Sequence, residues 1–177
     1  QILTFSRKST VSKKKLEPHQ VITEQLKMLR NIIPSNVEIR TSISDHCGTI
    51  MTDETQLQQI LINLCANAVQ AMESRGGTLD ITLKQVFLSP EDCKPFQHIS
   101  PGTYLQLSVS DTGCGIEPHI IDRILEPFFT TKGVGKGTGM GLAVVHGIIS
   151  EHEGGISVSS RPGRGSTFTV VLPMAEE

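Results

Sequence analysis

Four side-chain amides, Gln59, Asn63, Asn67 and Gln70, fall within a quarter turn of one another when the stretch from Asp53 to Ser74 is wound as a helix. Between Leu57 and Ala71 that helix contains no lysine, arginine or glutamate. Solvated helix faces use charged helix formers, and Asn is a poor one, so this stripe reads as turned toward something polar. An Asn oxygen is a suitable hard ligand for Mg²⁺, which keeps several waters and bridges to phosphates. A second feature is "VSDTGCGI", where Asp111 ends a strand and Gly113 and Gly115 follow. A carboxylate only accepts hydrogen bonds, so its natural partner is an amino donor such as adenine N6, and the glycines let a flat ring approach the backbone. Taken singly, these features have plainer explanations, a solvated face and an Asp-initiated turn.

The third feature, "GVGKGTGMG", puts five glycines at alternate positions from Gly133 to Gly141. Each costs roughly 0.5–1 kcal/mol of extra backbone entropy when ordered, so the segment is expected to stay mobile until something holds it. It contains neither G-x-x-x-x-G-K-[ST] nor G-x-G-x-x-G. It feeds an apolar helix starting near Met140–Leu142, whose first free N–H groups form an anion site. Together the amide face, the strand-end carboxylate, the loop and the helix start suit a purine nucleotide.

These groups need a scaffold, and the periodicity predicts one. Helices are expected over 19–31 and from about Asp53 to Ser74, the second opened by Asp53 with Gln56 as a capping box and stopped at Gly76-Gly77. Alternation predicts strands at "VEIRTSI", "TLDITLKQV", "YLQLSVSD", "GISVSS" and "STFTVVLP", the last two a hairpin around "RPGRG". The stretch "TVSKKKLEP" reads as a linker, and "KQVFLSPEDCKPFQHISPG" as a loop. The fold class is therefore α/β (α+β), a two-layer arrangement of interleaved helices and strands.

The length of 177 residues suits one well-buried domain. A net charge of −2 gives no support for a nucleic-acid or anionic-membrane partner. No apolar run approaches the ~20 residues that cross a bilayer, and a cytoplasmic location with reduced thiols is expected, because the four cysteines lack C-x-x-C spacing.

At this point the chain resembles the ATP-binding catalytic domain of sensor histidine kinases, within the gyrase, heat-shock chaperone, histidine kinase and mismatch-repair ATPase superfamily. "NLCANAVQAM" resembles the N box and "DTGCG" the first glycine box. "EPFFTTK" is similar to the F box, "GTGMGLAVVHGI" to the second glycine box and "PGRGSTF" to the last. The phrasing is especially like nitrogen-regulation and PAS-linked sensor kinases. The resemblance implies a Bergerat-type sandwich, a mixed β-sheet against about three helices, with a flexible ATP lid over residues 117–138. It implies that residues 18–177 are the catalytic domain and 1–17 the end of a dimerisation hairpin plus linker.

By the same resemblance Asn67 is the Mg²⁺-binding asparagine, with Asn63 one turn before it, and the two carry the catalytic role. Asp111 is the adenine-reading carboxylate, Gly113, Gly115 and Ile116 shape its pocket, and Thr167 supports the adenine contact. Phe128, Thr130 and Thr131 belong to the F-box wall. Lys132 and Lys136 are within reach of phosphate, and Gly137, Thr138, Gly139, Met140, Gly141 and Leu142 form the phosphate-side hinge. The implied ligands are ATP or ADP with Mg²⁺. The implied partners are a histidine-bearing dimerisation domain and a response-regulator receiver domain, with the chain itself a monomer.

Two departures from the superfamily pattern matter. Hydrolytic members carry a general-base glutamate at the position of Asn63, and an amide takes no proton from water, so efficient hydrolysis is not expected. Phosphoryl transfer to an imidazole needs no such base. Many histidine kinases have lysine where this chain has Gln70. None of the six histidines (His19, His46, His98, His119, His146, His152) fits the phosphoacceptor pattern, so the chain is expected to bind ATP without phosphorylating itself. A nucleotide-binding scaffold without transfer, and an ATPase clamp, remain the alternatives.

Overall fold

The computed structural model describes residues 12–131 and 139–176. Along the chain run β1 (Lys14–Leu16), α1 (Pro18–Leu29), β2 (Val37–Ile43), β3 (Ile50–Thr52), α2 (Glu54–Ala71), β4 (Gly77–Leu88) and β5 (Gly102–Asp111). A 3₁₀ turn at Pro118–Arg123 follows, then α3 (Gly141–Glu151), β6 (Gly155–Arg161) and β7 (Gly165–Pro173).

Five strands form one mixed sheet in the order β2-β4-β5-β7-β6, with β2 parallel to β4 and the other pairs antiparallel. Period-two alternation decides its inner face: Leu79, Ile81 and Leu83 on β4, Leu105, Leu107 and Val109 on β5, and Phe168, Val170 and Leu172 on β7 are all buried. The α2 residues Leu57, Ile60, Leu61, Leu64 and Ala68 cover that face at helical spacing, and α1 and α3 flank them with Ile22, Leu26, Val145 and Ile149. The result is the two-layer sandwich of a mixed sheet and three main helices that the sequence predicts. Opposite the helices, the loop between β4 and β5 folds back so that Cys93 packs with Leu88 and Val171.

Three elements differ from the sequence reading: β1, its partner β3, which no alternation predicts, and the end of β4. Lys14–Leu16, read as linker, pairs antiparallel with Ile50–Thr52 as β1. Its pairing is non-local and its side chains are mostly basic, so no periodicity marks it. β4 runs on to Leu88, beyond the point read as loop, because Gln85, Val86 and Phe87 stay paired with Leu105, Tyr104 and Thr103. Asp53 does cap α2, accepting from the Thr55 N–H at 2.8 Å. The reciprocal arm of the capping box does not form, since the Gln56 amide instead donates to Glu151 on α3 at 3.0 Å. The opening "QILTFSRK" lies outside the described residues.

Candidate functional site

A cavity of about 660 Å³ opens between α2, the ends of β5 and β7, the 3₁₀ turn and the start of α3. That volume is within the usual range for a small-molecule site. One wall is the amide face of α2: Asn63, Ala66, Asn67, Gln70 and Ala71 line it, while Gln59 is exposed and outside it. Leucines every three or four residues lock the opposite face of α2 into the core, so the rotation of the amides is set by the packing behind them.

The floor comes from the sheet. Asp111 is 5% exposed at the end of β5 and accepts a hydrogen bond from the Gly113 N–H at 2.8 Å. Burial pushes its carboxyl above the usual carboxylate range, opposed by the N–H groups of Gly113 and Ser166. The turn after it is fastened on two sides. The Cys114 N–H donates to the Ala71 carbonyl at 3.0 Å, and the Gly163 N–H donates to the Cys114 carbonyl at 2.7 Å. Cys114, Gly115, Ile116 and Glu117 then line the cavity, whereas Gly113 is packed against Ala71 behind them.

On the far side, His119 and Ile120 of the 3₁₀ turn, then Ile124 and Phe129, close the wall, with Thr130 and Thr131 at its rim. Phe128 is 76% exposed, takes a positive φ of 64° and lies outside the cavity. Its N–H donates to the Gly139 carbonyl at 3.0 Å, which ties Phe128 to the residue two before the start of α3. Gly139, Gly141 and Leu142 complete the lining. Met140 is the N-cap of α3 and makes no cap bond through its own side chain, and Gly141 and Leu142 bring the first turn of α3 to the cavity. A Cβ on Gly141 would stand 3.4 Å from the Asn63 amide oxygen, so α3 begins directly against the α2 amides. Lys132, Lys136, Gly137 and Thr138 lie outside the described residues.

One assignment is corrected by the geometry. The Thr167 hydroxyl meets Ser110 at 2.8 Å on the other face of the sheet, and Thr167 does not line the cavity. Ser166, 5% exposed, and Phe168 do. The alternation of β7 could have shown this, because Phe168, Val170 and Leu172 point inward and Ser166 shares their parity. The sequence reading also passes over Cys114, Glu117, His119 and Phe129, whose inclusion depends on the path of a turn that no periodicity describes.

The donor set limits what the cavity can hold. Among the described residues no three His, Cys, Asp or Glu side chains gather into a metal cluster. The Asn67 amide nitrogen is buried without a hydrogen-bond partner, and Asn63 and Asn67 offer only neutral amides. Such a pair fits a hydrated Mg²⁺ whose remaining oxygens come with an anionic ligand, and does not fit a metal held by protein alone.

The chain matches the family model described as histidine kinase-, DNA gyrase B-, and HSP90-like ATPase over residues 52–176, and it belongs to that family. It is 33% identical over 173 residues to the sensor kinase CckA of Brucella abortus (strain 2308), covering 98% of this chain and 18% of that protein. The nucleotide-free catalytic domain of histidine kinase ThkA superposes with a TM-score of 0.71 at 27% identity, over 91% of this chain and 95% of the other. Full-length ShkA, solved in complex with AMPPNP, gives a TM-score of 0.73 at 26% identity, over 94% of this chain and 32% of ShkA. The chain thus has the fold and extent of a histidine-kinase catalytic ATPase domain and spans under a fifth of CckA's length. Among the described residues no helix is long and apolar enough to cross a membrane.

Proposed function

We propose that the cavity binds MgATP and presents its γ-phosphoryl group to a histidine on a separate dimerisation domain, for relay to a response-regulator aspartate. The observation that carries this reading is the meeting of the start of α3 with Asn63 and Asn67 at one end of a cavity that has a buried carboxylate in its floor. ShkA, of the same fold, was solved with AMPPNP, which supports a nucleoside triphosphate here.

In this reading Asp111 accepts from the adenine amino group, and Gly115 and Ile116 bound the ring. The first N–H groups of α3, with Gly139, Gly141 and Leu142, receive the phosphates, since a helix start favours negative charge. Asn67 and Asn63 would hold Mg²⁺, which when bound supplies charge neutralisation at the phosphates. The buried Asn67 amide nitrogen gains an acceptor once phosphate oxygen is present. Neither asparagine takes a proton from water, so the α2 amides position the triphosphate without promoting its hydrolysis. The acceptor imidazole is itself the nucleophile, and positioning supplies most of the catalysis.

Calorimetry with MgATP and MgADP on wild type and Asp111→Asn tests the binding half. Wild type is expected to bind and the variant to lose roughly 1.5–3 kcal/mol, about ten- to a hundredfold in Kd. Incubation with ATP and an added histidine-bearing hairpin domain tests the transfer half. Binding without transfer to any hairpin would favour a nucleotide-sensing scaffold, and rapid hydrolysis by the chain alone would favour an ATPase clamp.

A further inference from the structure

Ser160 lies on β6 outside the cavity, yet three hydrogen bonds converge on its hydroxyl. The Ile116 N–H donates to it at 2.8 Å. It lies 3.0 Å from the Gly165 carbonyl, which can only accept. It lies 2.9 Å from the Ser166 hydroxyl, where either oxygen could in principle donate.

A serine hydroxyl has one hydrogen and two lone pairs. The single hydrogen of Ser160 goes to the Gly165 carbonyl, so the Ser160–Ser166 bond must be made with the hydrogen of Ser166. That spends the only hydrogen Ser166 has, so the side chain of Ser166, which lines the cavity, offers lone pairs alone. Beside it stands the Asp111 carboxylate, which likewise only accepts. Both polar side chains of the cavity floor therefore present acceptors, although one of them is a hydroxyl that is ordinarily free to turn either way.

We infer that Ser160 is a positioning residue for base selectivity: by taking the Ser166 hydrogen it fixes the floor as acceptor-only, so that the site takes a purine carrying an exocyclic amino donor and rejects one carrying a carbonyl at that position. The inference rests on the nucleotide reading above. The same Ser160 hydroxyl anchors Ile116, the residue from which the outer wall departs, so the polarity of the floor and the start of that wall are set by one side chain.

The test measures dissociation constants for MgATP and MgITP, which differ in an amino donor against a carbonyl acceptor. Wild type is expected to prefer ATP. In Ser160→Ala the Ser166 hydroxyl is released to donate, and the ITP/ATP ratio is expected to shrink roughly three- to tenfold. Ser160→Thr keeps one hydroxyl hydrogen and is expected to restore the ratio. Ser166→Ala removes the group through which Ser160 acts, and is expected to shrink the ratio without disturbing the Ile116 anchor.

A merely structural Ser160 would weaken ATP and ITP equally and leave the ratio fixed, which overturns the inference. So would an unchanged ratio in Ser166→Ala, a measurement that stands even where Ser160→Ala does not fold. Failure of wild type to bind either nucleotide would instead sink the nucleotide reading itself.

Discussion

On the α2–β5–β7 side of the cavity, each polar group is held from behind: Asn63 and Asn67 by a helix of 18 residues, Asp111 by the Gly113 N–H, and Ser166 by Ser160. Across from it the wall rests on a 3₁₀ turn with no buried residue and on Ile124 and Phe129 after it, joined mostly by local backbone bonds, with the exposed Phe128 at positive φ just outside and bonded to Gly139. Ordering costs are prepaid on the first side and left outstanding on the second. A ligand read by the floor meets groups that do not need to rearrange. A ligand that touches the outer wall must itself supply part of the free energy that orders it. Such a division suits a site that must recognise one group accurately and then close over another.

Two glycines test that contrast most strongly, because each occupies a left-handed backbone position on one of the two sides. Gly165, φ 101°, sits where a Cβ would run into the Asp111 carbonyl. The atoms it would meet are backbone of Asp111, the last residue of β5, and of Thr112 next to it, so no flexible side chain can give way. Gly165→Ala is expected to cost about 3 kcal/mol or more in a urea melt, from left-handed strain plus overpacking. Gly139, φ 67°, meets the backbone of Phe128. That contact belongs to the soft wall, which can open locally, so Gly139→Ala is expected to cost about 1 kcal/mol or less in global stability. Its effect should appear in nucleotide affinity instead. Equal losses of stability in the two variants would erase the distinction between the sides.

A smaller effect, and one with opposite signs for fold and ligand, comes from the buried carboxylate. The Asp111 carboxyl titrates above the usual range because of burial, while in the unfolded chain it is an ordinary aspartate. Between the two pKa values the folded state holds the extra proton. Ionisation of Asp111 therefore costs stability at neutral pH, and that cost is lost as pH falls through the folded pKa toward the unfolded one. Binding runs the other way, since only the ionised form accepts two amino or N–H donors without carrying a proton of its own. Titrating affinity over about pH 4–7 should show binding fall at a pH above that of an ordinary aspartate. In Asp111→Asn this component should be absent. A pH profile identical in wild type and variant would mean that the floor does not read the ligand through Asp111.

The same division decides how much was legible beforehand. The floor and the α2 wall follow from periodicity: leucines at helical spacing fix which way Asn63 and Asn67 point, and alternation along β5 fixes Asp111 on the inner face. On β7 the parity of Phe168 puts Ser166, not Thr167, on the inner face, which the motif resemblance alone does not distinguish. The outer wall is different. His119, Glu117 and Phe129 come to the cavity through a turn whose path depends on contacts with β6 and with Gly139, distant in sequence. The β1–β3 pairing was invisible for the same reason, since Lys14, Lys15 and Leu16 gain strand geometry only from Ile50, Met51 and Thr52.

The least costly probe of the comparison uses the cysteines. Cys47, Cys65 and Cys93 are buried, and burial pushes the Cys65 thiol up to about 12, so it stays protonated and inert. Cys114 alone is exposed, in the turn that joins the rigid floor to the outer wall, and it lines the cavity. A thiol reagent is expected to modify one cysteine in the folded chain and the other three only in denaturant. With nucleotide at about ten times Kd, mass action leaves roughly a tenth of the sites open, and labelling of Cys114 should slow about tenfold. Protection that saturates with the binding isotherm would put the ligand against this turn. Unchanged labelling at saturating nucleotide would mean that the ligand stays on the α2 side and leaves the turn after Asp111 uncovered.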